Sequence, residues 1–335
     1  MDKFLTKVEC WANGYLTKRK ALKVYESEHK PQITFLGEVK GWVDAIIFAV
    51  IVIFIINLYL FQLFVIPSPS MEKTLLVGDR VFVNKNIYGM ELYPDSKKVF
   101  NTNRRVHRDD IITFYNPDYT SKGPVFDTLS QLLFSATFSL VNIDKNPDGS
   151  MAERLFVKRA AGLDGDTIRF NNGNVEIRPA GTTSFVNEMN FRDENNLSDG
   201  PNRLLSQSYY EGLNAWGTLL GYQDLKFTGS QVPQHLLTAY NQLSDTNYPK
   251  DMYGFETQRT LSKHLLDPTN FSYRSDAKKY ANGITVPTGF VLPLGDNRDN
   301  SSDGRYFGPV SQERVNGRVL GRFWPIKRIA YLGNK

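Results

Sequence analysis

Two serines separated by one proline, Ser68 and Ser70, lie within residues 66–75. A serine hydroxyl attacks a carbonyl group only when a nearby base takes its proton and hydrogen-bond donors stabilise the oxyanion. The two serines can divide this work: Ser70 attacks, while its own N–H and the Ser68 hydroxyl stabilise the developing charge. Ser-Pro-Ser is also common in solvated linkers, so this segment alone leaves both interpretations open.

A candidate base is Lys158, which lies in the apolar, β-prone run Phe156-Val157-Lys158. Burial disfavours the charged form of lysine and lowers its pKa from about 10.4, by several units in the extreme, so that a neutral amine becomes available. A lysine at a strand edge instead keeps its ammonium group in water. The run by itself leaves both environments open.

A third polar segment, residues 295–308, combines carboxylates, arginines, hydroxyls and glycines. It fits a solvated loop, a calcium loop or part of a catalytic site. Asp296, Asp299 and Asp303 could supply oxygen ligands, but no glutamate closes an EF-hand and the interleaved arginines oppose a dication. Because the four histidines are scattered and form no zinc motif, we expect no metal and no other cofactor.

The longest apolar segment precedes the two serines. No Asp, Glu, Lys or Arg occurs from Ala45 to Met71, and a helix of about 20 apolar residues spans the hydrocarbon core of a bilayer. We predict a single transmembrane helix over 44–66, which divides the chain into an N-terminal segment 1–43 and a catalytic domain 67–335.

Lysine and arginine crowd the N-terminal side of this helix. By the positive-inside rule, 1–43 is cytoplasmic and 67–335 is extracytoplasmic. The prediction is a single-pass protein of the inner (cytoplasmic) membrane, in contact with membrane lipid. The one cysteine, Cys10, excludes an intramolecular disulfide. The net charge of +5 comes with interspersed acids, so we expect no nucleic-acid partner. The sequence does not indicate an oligomeric state.

After the apolar segment, short β-prone runs alternate with turn residues, which is typical of an antiparallel β fold. We predict a mostly β protein: an antiparallel β-sheet catalytic domain with an inserted β-rich subdomain, preceded by the transmembrane helix. A hairpin is predicted over 167–178, around Asn172-Gly173. Residues about 116–150 and 180–285 are interpreted as insertions. Further strands are predicted at 80–84, 111–114, 154–158, 289–292 and 318–324.

Two short helices are also predicted. Residues 15–25 suggest an amphipathic helix, and the first insertion has apolar residues at helical spacing from Leu129 to Leu140. The second helix either rests on the membrane surface or faces the core.

The three polar segments, in this order after a membrane span, resemble the bacterial type I signal (leader) peptidases. The resemblance covers about 66–115, 154–178 and 285–325. It implies that Ser70 is the nucleophile, that Ser68 and the Ser70 N–H form the oxyanion hole, and that Lys158 is the general base. It also implies that exported preproteins are the substrates, cleaved after small residues of the Ala-x-Ala type through an acyl-enzyme.

The resemblance assigns further roles beside the dyad. It implies that Ser301 orients the lysine amine and that Gly295 allows close backbone approach near the lysine. Asp303 and Arg305 match the structural ion pair of that family.

Three residues depart from the family pattern. Lys73 stands where a proline is usual, Asp109 where a glycine is usual, and Gly304 where a serine is common. We expect Lys73 to loosen the N-terminal motif and Asp109 to give its turn a different shape. None of them removes a residue with an implied catalytic role.

Two alternative functions remain. Ser70 and Lys73 form a Ser-x-x-Lys motif, as in penicillin-binding proteins and serine β-lactamases, which requires Ser70 to begin a helix. No Lys-Thr-Gly follows downstream. The second alternative is a non-catalytic, membrane-tethered binding domain, which replacement of Ser70 or Lys158 would have favoured.

Overall fold

The computed structural model describes residues 13–25, 35–100, 104–137, 141–203, 205–227, 231–243 and 251–333. Cys10 and Leu140 lie outside the described residues. The chain divides into two compact units, Met1–Val52 and Ile53–Lys335. In the first unit, residues 13–25 form helix α1, which confirms the predicted short N-terminal helix.

The apolar segment forms helix α2 (Phe35–Ile55), a π-helical turn (Ile56–Leu60) and then strand β1 (Phe61–Val65). Within the described part of the chain, one helical segment, Gly37–Leu60, is long and apolar enough to cross a membrane. The predicted helix bounds of 44–66 are wrong at both ends. The helix begins earlier, and β1 is a strand because its backbone pairs with residues 80–84.

The main sheet is antiparallel, which confirms the predicted fold class. It contains β1 together with β2 (Arg80–Asn84), β5 (Ile111–Tyr115), β6 (Leu155–Gly162), β11 (Phe290–Leu294), β12 (Val310–Ser311), β13 (Val315–Trp324) and β14 (Ala330–Tyr331). The strand order is β1-β2-β13-β5-β6-β11-β12, with β14 paired to β13. All the strands predicted from the sequence are present.

Both faces of the sheet centre are buried. Along β5, Ile111 packs in one apolar cluster with Val157 of β6, whereas Ile112 packs in another with Ala160. Successive side chains of a strand point to opposite faces, so β5 and β6 separate two apolar layers. A lysine in the middle of β6 therefore has an apolar environment.

Two smaller sheets flank the main one. The predicted hairpin is present as β7 (Thr167–Asn171) and β8 (Asn174–Arg178), and β9 (Val186–Asn187) and β10 (Ile284–Thr285) extend it in the order β10-β7-β8-β9. The second pairs β3 (Met90–Glu91) with β4 (Lys98–Phe100).

The second insertion is largely helical in its described part. It contains α4 (Glu188–Glu194), α5 (Gln207–Asp224), α6 (Gln234–Asn241), α7 (Met252–Leu266) and α8 (Phe271–Asn282), and α9 (Gly304–Phe307) follows in the catalytic segment. The Asn, Ser and Asp residues that resemble loop residues in the sequence include helix N-caps, where side-chain oxygens accept backbone N–H groups. These caps are Asn187, Ser206, Asp251 and Asn270.

The first insertion forms α3 (Pro124–Ala136). Leu129 is 53% exposed, whereas Asp127, Ser130 and Gln131 are buried. The core-facing interpretation of this helix is therefore wrong, because its polar side faces inward. The physical reason is Arg154, which lies 3.6 Å from Asp127 and draws the carboxylate towards the protein.

Candidate active site

The hydroxyl of Ser70 lies beside the amine of Lys158. Ser70 occupies a short 3-10 turn, Pro69–Met71, in which Pro69 fixes the backbone of the first turn. Lys158 projects from the middle of β6, and its Nζ lies 2.6 Å from Ser70 Oγ. Both side chains are buried. The Ser68 hydroxyl donates to Ser70 Oγ at 3.2 Å.

Burial changes the proton affinity of this amine. It lowers the pKa of Lys158 from 10.5 to about 8, against the opposing charges of Asp303 and Glu153. A substantial neutral fraction is therefore present near pH 8. At and above this pH the pair therefore combines a hydroxyl and an unprotonated amine at hydrogen-bonding distance, which is the arrangement that proton abstraction requires.

The loop after β11 contacts the backbone of Ser70. The N–H of Asn297 donates to the Ser70 carbonyl at 3.1 Å. Gly295 leaves room for this contact, because a Cβ atom there would lie 2.5 Å from the Ser70 carbonyl oxygen and would collide with the Ser301 side chain. Gly295 thus allows the loop to lie close to the Ser70 backbone, and its implied role near the lysine stays a prediction.

Asp303 connects the two ends of the same loop, Gly295 and Arg305. It accepts from the N–H of Gly295 at 2.9 Å and from Arg305 Nε at 2.9 Å. Burial alone would raise the pKa of Asp303, but the Arg305 guanidinium and the Gly295 N–H outweigh it and lower the pKa. Ser301 Oγ is buried without a hydrogen-bond partner among the described residues. It makes no hydrogen bond with Lys158 here, so its orienting role stays a prediction.

An open cleft of about 160 Å³ leads to the dyad. Strand β1 is an edge strand that pairs, among the described residues, with β2 alone. Strand β6 pairs with β11 from Arg159 onward, which leaves 155–158 unpaired on that side within the same residues. Residues of both strands and of the polar loop line the cleft, including Phe64, Ile66, Leu155, Phe156, Asn300 and Ser302.

Residues 39–324 match the family model described as signal peptidase, peptidase S26. The chain belongs to this signal peptidase family. It is accordingly a serine endopeptidase, a hydrolase. Among similar proteins, the signal peptidase I of Aquifex aeolicus is 26% identical over 81% of this chain and 78% of its own length. That of Haemophilus influenzae is 23% identical over 89% of this chain and 73% of its own.

Lys73 of this signal peptidase has a backbone conformation that the proline implied by the resemblance could not adopt. Its φ is 79°, which proline cannot adopt because its ring fixes φ near about −65°. Lys73 is exposed, and Ser70 lies in the middle of the 3-10 turn Pro69–Met71 rather than at the start of an α-helix. The Ser70/Lys73 alternative needed that helix and is therefore wrong.

Asp109 stands where the resemblance implies a glycine. Its φ of 74° lies in the left-handed region that favours glycine. Asp109 thus adopts a backbone that glycine would also adopt, and the expectation of a differently shaped turn stays a prediction. Its carboxylate is buried and accepts from the hydroxyl of Ser198 at 2.7 Å.

The peptidase also contains a buried chain of ion pairs that the sequence did not reveal. Arg159 binds Asp296 through Nε and Nη2 at 2.7 and 2.6 Å, and its Nη1 lies 3.1 Å from Asp109. One signal of a buried ion pair was present in the sequence, because Arg159 is a second cation directly after Lys158 in an apolar strand. Its partner could not be identified, since Asp296 is 137 residues away in the chain. The chain of pairs runs through Asp296, Arg159, Asp109, Arg192, Glu188 and Arg298.

The last residue of this chain of pairs, Arg298, lies in the loop after β11 that contacts Ser70. Arg298 binds Glu188 of the second insertion and also donates to the carbonyl of Gly295. Buried charges are tolerated when each is paired, and removal of one partner is costly. The insertion therefore supports the loop that positions Ser70. A non-catalytic binding domain is not favoured, since Ser70 and Lys158 are both present and adjacent.

Proposed function

We propose that this protein is a membrane-anchored signal peptidase that removes signal peptides from exported preproteins, with Ser70 as nucleophile and Lys158 as general base. The observation that carries the proposal is the buried Lys158 amine, 2.6 Å from Ser70 Oγ, with its pKa lowered to about 8. The membership in the signal peptidase family supports the substrate class.

The reaction follows from this geometry. Neutral Lys158 takes the proton of Ser70 as Oγ attacks the carbonyl carbon of the scissile bond. The lysine then gives that proton to the leaving nitrogen, the C–N bond breaks, and an acyl-enzyme ester remains. Lys158 next takes a proton from water, which attacks the ester and releases the signal peptide with a free carboxylate while Ser70 regains its proton.

The oxyanion is stabilised from the serine segment. The N–H of Ser70 and the hydroxyl of Ser68 are the proposed donors. In the free enzyme the Ser68 hydroxyl donates to Ser70 Oγ, and it turns to the oxyanion when Oγ becomes bonded to carbon. Ser301 is the proposed hydroxyl that contacts the lysine amine, and Asp303 with Arg305 keeps the loop rigid.

The cleft favours an extended substrate with small side chains. An unpaired edge on β1 and another on β6 offer backbone groups to a peptide strand. Because alternate side chains of a strand point to one side, the first and third residues before the scissile bond would face the same wall. Its lining residues Phe64, Ile66 and Leu155 restrict these positions to small side chains. This restriction gives the Ala-x-Ala preference.

The apolar helix provides the proposed membrane anchor. Gly37–Leu60 has the length and composition to span a bilayer, and Ser70 follows Leu60 closely in the chain. We propose that the chain before Gly37 is cytoplasmic, that the catalytic domain is extracytoplasmic, and that the anchor lies in the inner membrane. Anchoring raises the effective concentration of substrates held in the same membrane.

The test is cleavage of a purified preprotein in detergent by the full-length enzyme. We expect Ser70→Ala and Lys158→Ala to abolish cleavage, and Lys73→Ala to retain most of it. Mass spectrometry of the products should place the cut after a small residue. Full activity of Lys158→Ala, with the protein folded, would refute the proposed dyad.

A further inference from the structure

A second depression, which we call the upstream groove, adjoins the active-site cleft. It has a volume of about 370 Å³. Phe64, Pro67, Glu153 and Leu155 line both the cleft and the groove. The two are therefore continuous, and a chain that leaves the cleft on this side enters the groove.

The first insertion builds one wall of the groove. Ser130, Gln131 and Phe134 of α3 line it, opposite Gln62 of β1 and Met151 before β6. A wall of this kind is useful for binding only when it is fixed in place, since ordering a loop on binding costs free energy.

Buried polar contacts fix this wall. Arg154 Nη2 lies 2.7 Å from Asp144, and the hydroxyl of Tyr119 donates to Asp144 at 2.7 Å and to Asp127 at 3.1 Å. Asp127 and Asp144 are both buried. These contacts connect α3 and residues 141–144 to the start of β6, so the groove is preformed.

The lining indicates what the groove accepts. Phe64, Phe134, Met151 and Leu155 offer apolar surface, while the amides of Gln62, Gln131 and Asn142 both donate and accept hydrogen bonds. Apolar walls with a few amides suit a peptide backbone that carries apolar side chains.

The position of β1 in the chain indicates in which direction the substrate runs along the groove. Phe61, the first residue of β1, follows directly after Leu60, the end of the apolar helix. The Gln62 end of the groove is therefore the end joined to the anchor. In a membrane-held preprotein, the apolar part of the signal peptide lies N-terminal to the scissile bond, and its chain leaves the cleft towards that end.

Resting on the proposed function, we infer that the upstream groove binds the substrate residues four to six positions before the scissile bond and prefers apolar side chains there. From Pro67 to Gln62 the enzyme backbone advances about 16 Å at 3.3 Å per residue. Those five steps run through six residues, so the length accommodates six substrate residues, the first three in the cleft and the fourth to sixth in the groove.

The test uses three fluorogenic peptides with one common small-x-small cleavage site. The first has leucines four to six positions before the scissile bond, the second has serines there, and the third begins at the third position. Full-length wild-type enzyme in detergent should cleave the leucine peptide with a kcat/KM at least about tenfold above the serine peptide, mainly through KM, as burial of one leucine side chain implies.

Two groove variants and one matched control complete the test. Phe134→Ser and Met151→Ser should each reduce the leucine preference several-fold and leave cleavage of the short peptide unchanged. Met151 is 55% exposed, so its replacement preserves the fold. Val125→Ser, on the same helix but outside the groove and 74% exposed, should keep the full preference.

Equal kcat/KM for the leucine and serine peptides would overturn the inference. So would a preference for apolar residues after the scissile bond that Phe134→Ser removes, because the groove would then bind the leaving segment. If wild type and Ser70→Ala are equally inert on all three peptides, the proposed function fails instead.

Discussion

Arg159 donates from Nε and Nη2 to the two carboxylate oxygens of Asp296. Arg159 follows Lys158 on β6, and Asp296 precedes Asn297, whose N–H holds the Ser70 carbonyl. This ion pair therefore connects the strand that carries the amine to the loop that holds the hydroxyl.

Loss of this pair should damage stability and catalysis together. Arg159→Met leaves Asp296 buried without its main partner, and we expect the free energy of unfolding to fall by about 3–5 kcal/mol. Chemical denaturation measures this change. As a control, Arg105→Met removes an ion pair with Asp164 whose arginine is 75% exposed and should cost less than about 1 kcal/mol. Similar losses in both variants would contradict the prediction.

Activity should rise with pH through the pKa of Lys158. The neutral amine is the proposed base, and below about 8 its fraction falls about tenfold per pH unit. The charge of Glu153 raises the pKa of this lysine, so Glu153→Gln should move the acidic limb of the kcat/KM profile to lower pH. The shift should shrink in high salt, because Glu153 is exposed. Asp118→Asn serves as the control, and an unmoved limb for Glu153→Gln at low salt would count against the assignment.

Lys158 should reduce stability at neutral pH. Its pKa is about 8 in the folded protein against 10.5 ordinarily, so the unfolded chain binds more protons between these values and stability rises with pH across that window. At pH 7 the charged amine costs about 3 kcal/mol, since one pKa unit equals about 1.4 kcal/mol. We therefore expect Lys158→Met to raise the free energy of unfolding by about 3 kcal/mol at pH 7.

This gain should decrease as the pH rises from 8 to 10.5, because wild-type Lys158 then loses its proton. Urea denaturation at several pH values measures it. Lys279→Met replaces a side chain that is 75% exposed and should change little at any pH. A Lys158→Met protein no more stable than wild type at pH 7 would contradict the lowered pKa.

The backbone at Lys73 predicts that the proline usual in the family would be harmful here. With φ at 79°, Lys73→Pro forces the turn to reorganise, and we expect a loss of about 2–3 kcal/mol with reduced kcat. Lys73→Gly keeps the turn without strain and should stay within about 1 kcal/mol of wild type. Thermal unfolding and kcat are to be measured for both variants. Equal stability and equal kcat of Lys73→Pro and Lys73→Gly would show that this φ is not required.

Local patterns predicted five of the eight strands of the main sheet, because alternation and turn residues act within a few positions, whereas β1, β12 and β14 were not predicted. The hairpin around Asn172-Gly173 is the clearest case. The proximity of Ser70 to Lys158 did not follow from spacing, since the two are 88 residues apart; only the resemblance indicated it.

Features that depend on tertiary contacts escaped prediction. Asp109 appeared as a departure at a turn, whereas in the fold it joins Arg159 and Arg192 in the buried chain of ion pairs. The inward polar side of α3 depends on Arg154, which comes later in the chain. The strand at Phe61–Val65 resembled more helix, because an apolar run has no periodicity until a partner strand pairs with it.

Each insertion leaves a sheet and returns to the same sheet at nearly the same place, the first in the main sheet and the second in the sheet of β7, β8, β9 and β10. Tyr115 and Leu155, which bound the first, are opposite each other in the register of β5 and β6. Thr167 pairs with Arg178 and also with Thr285, which bound the second. The entropic cost of closing a loop grows only with the logarithm of its length. The catalytic domain thus has two attachment points where modules can be gained or exchanged during evolution, or fused by design, provided that Glu188 and Arg192 of the second insertion keep their ion pairs with Arg298 and Asp109.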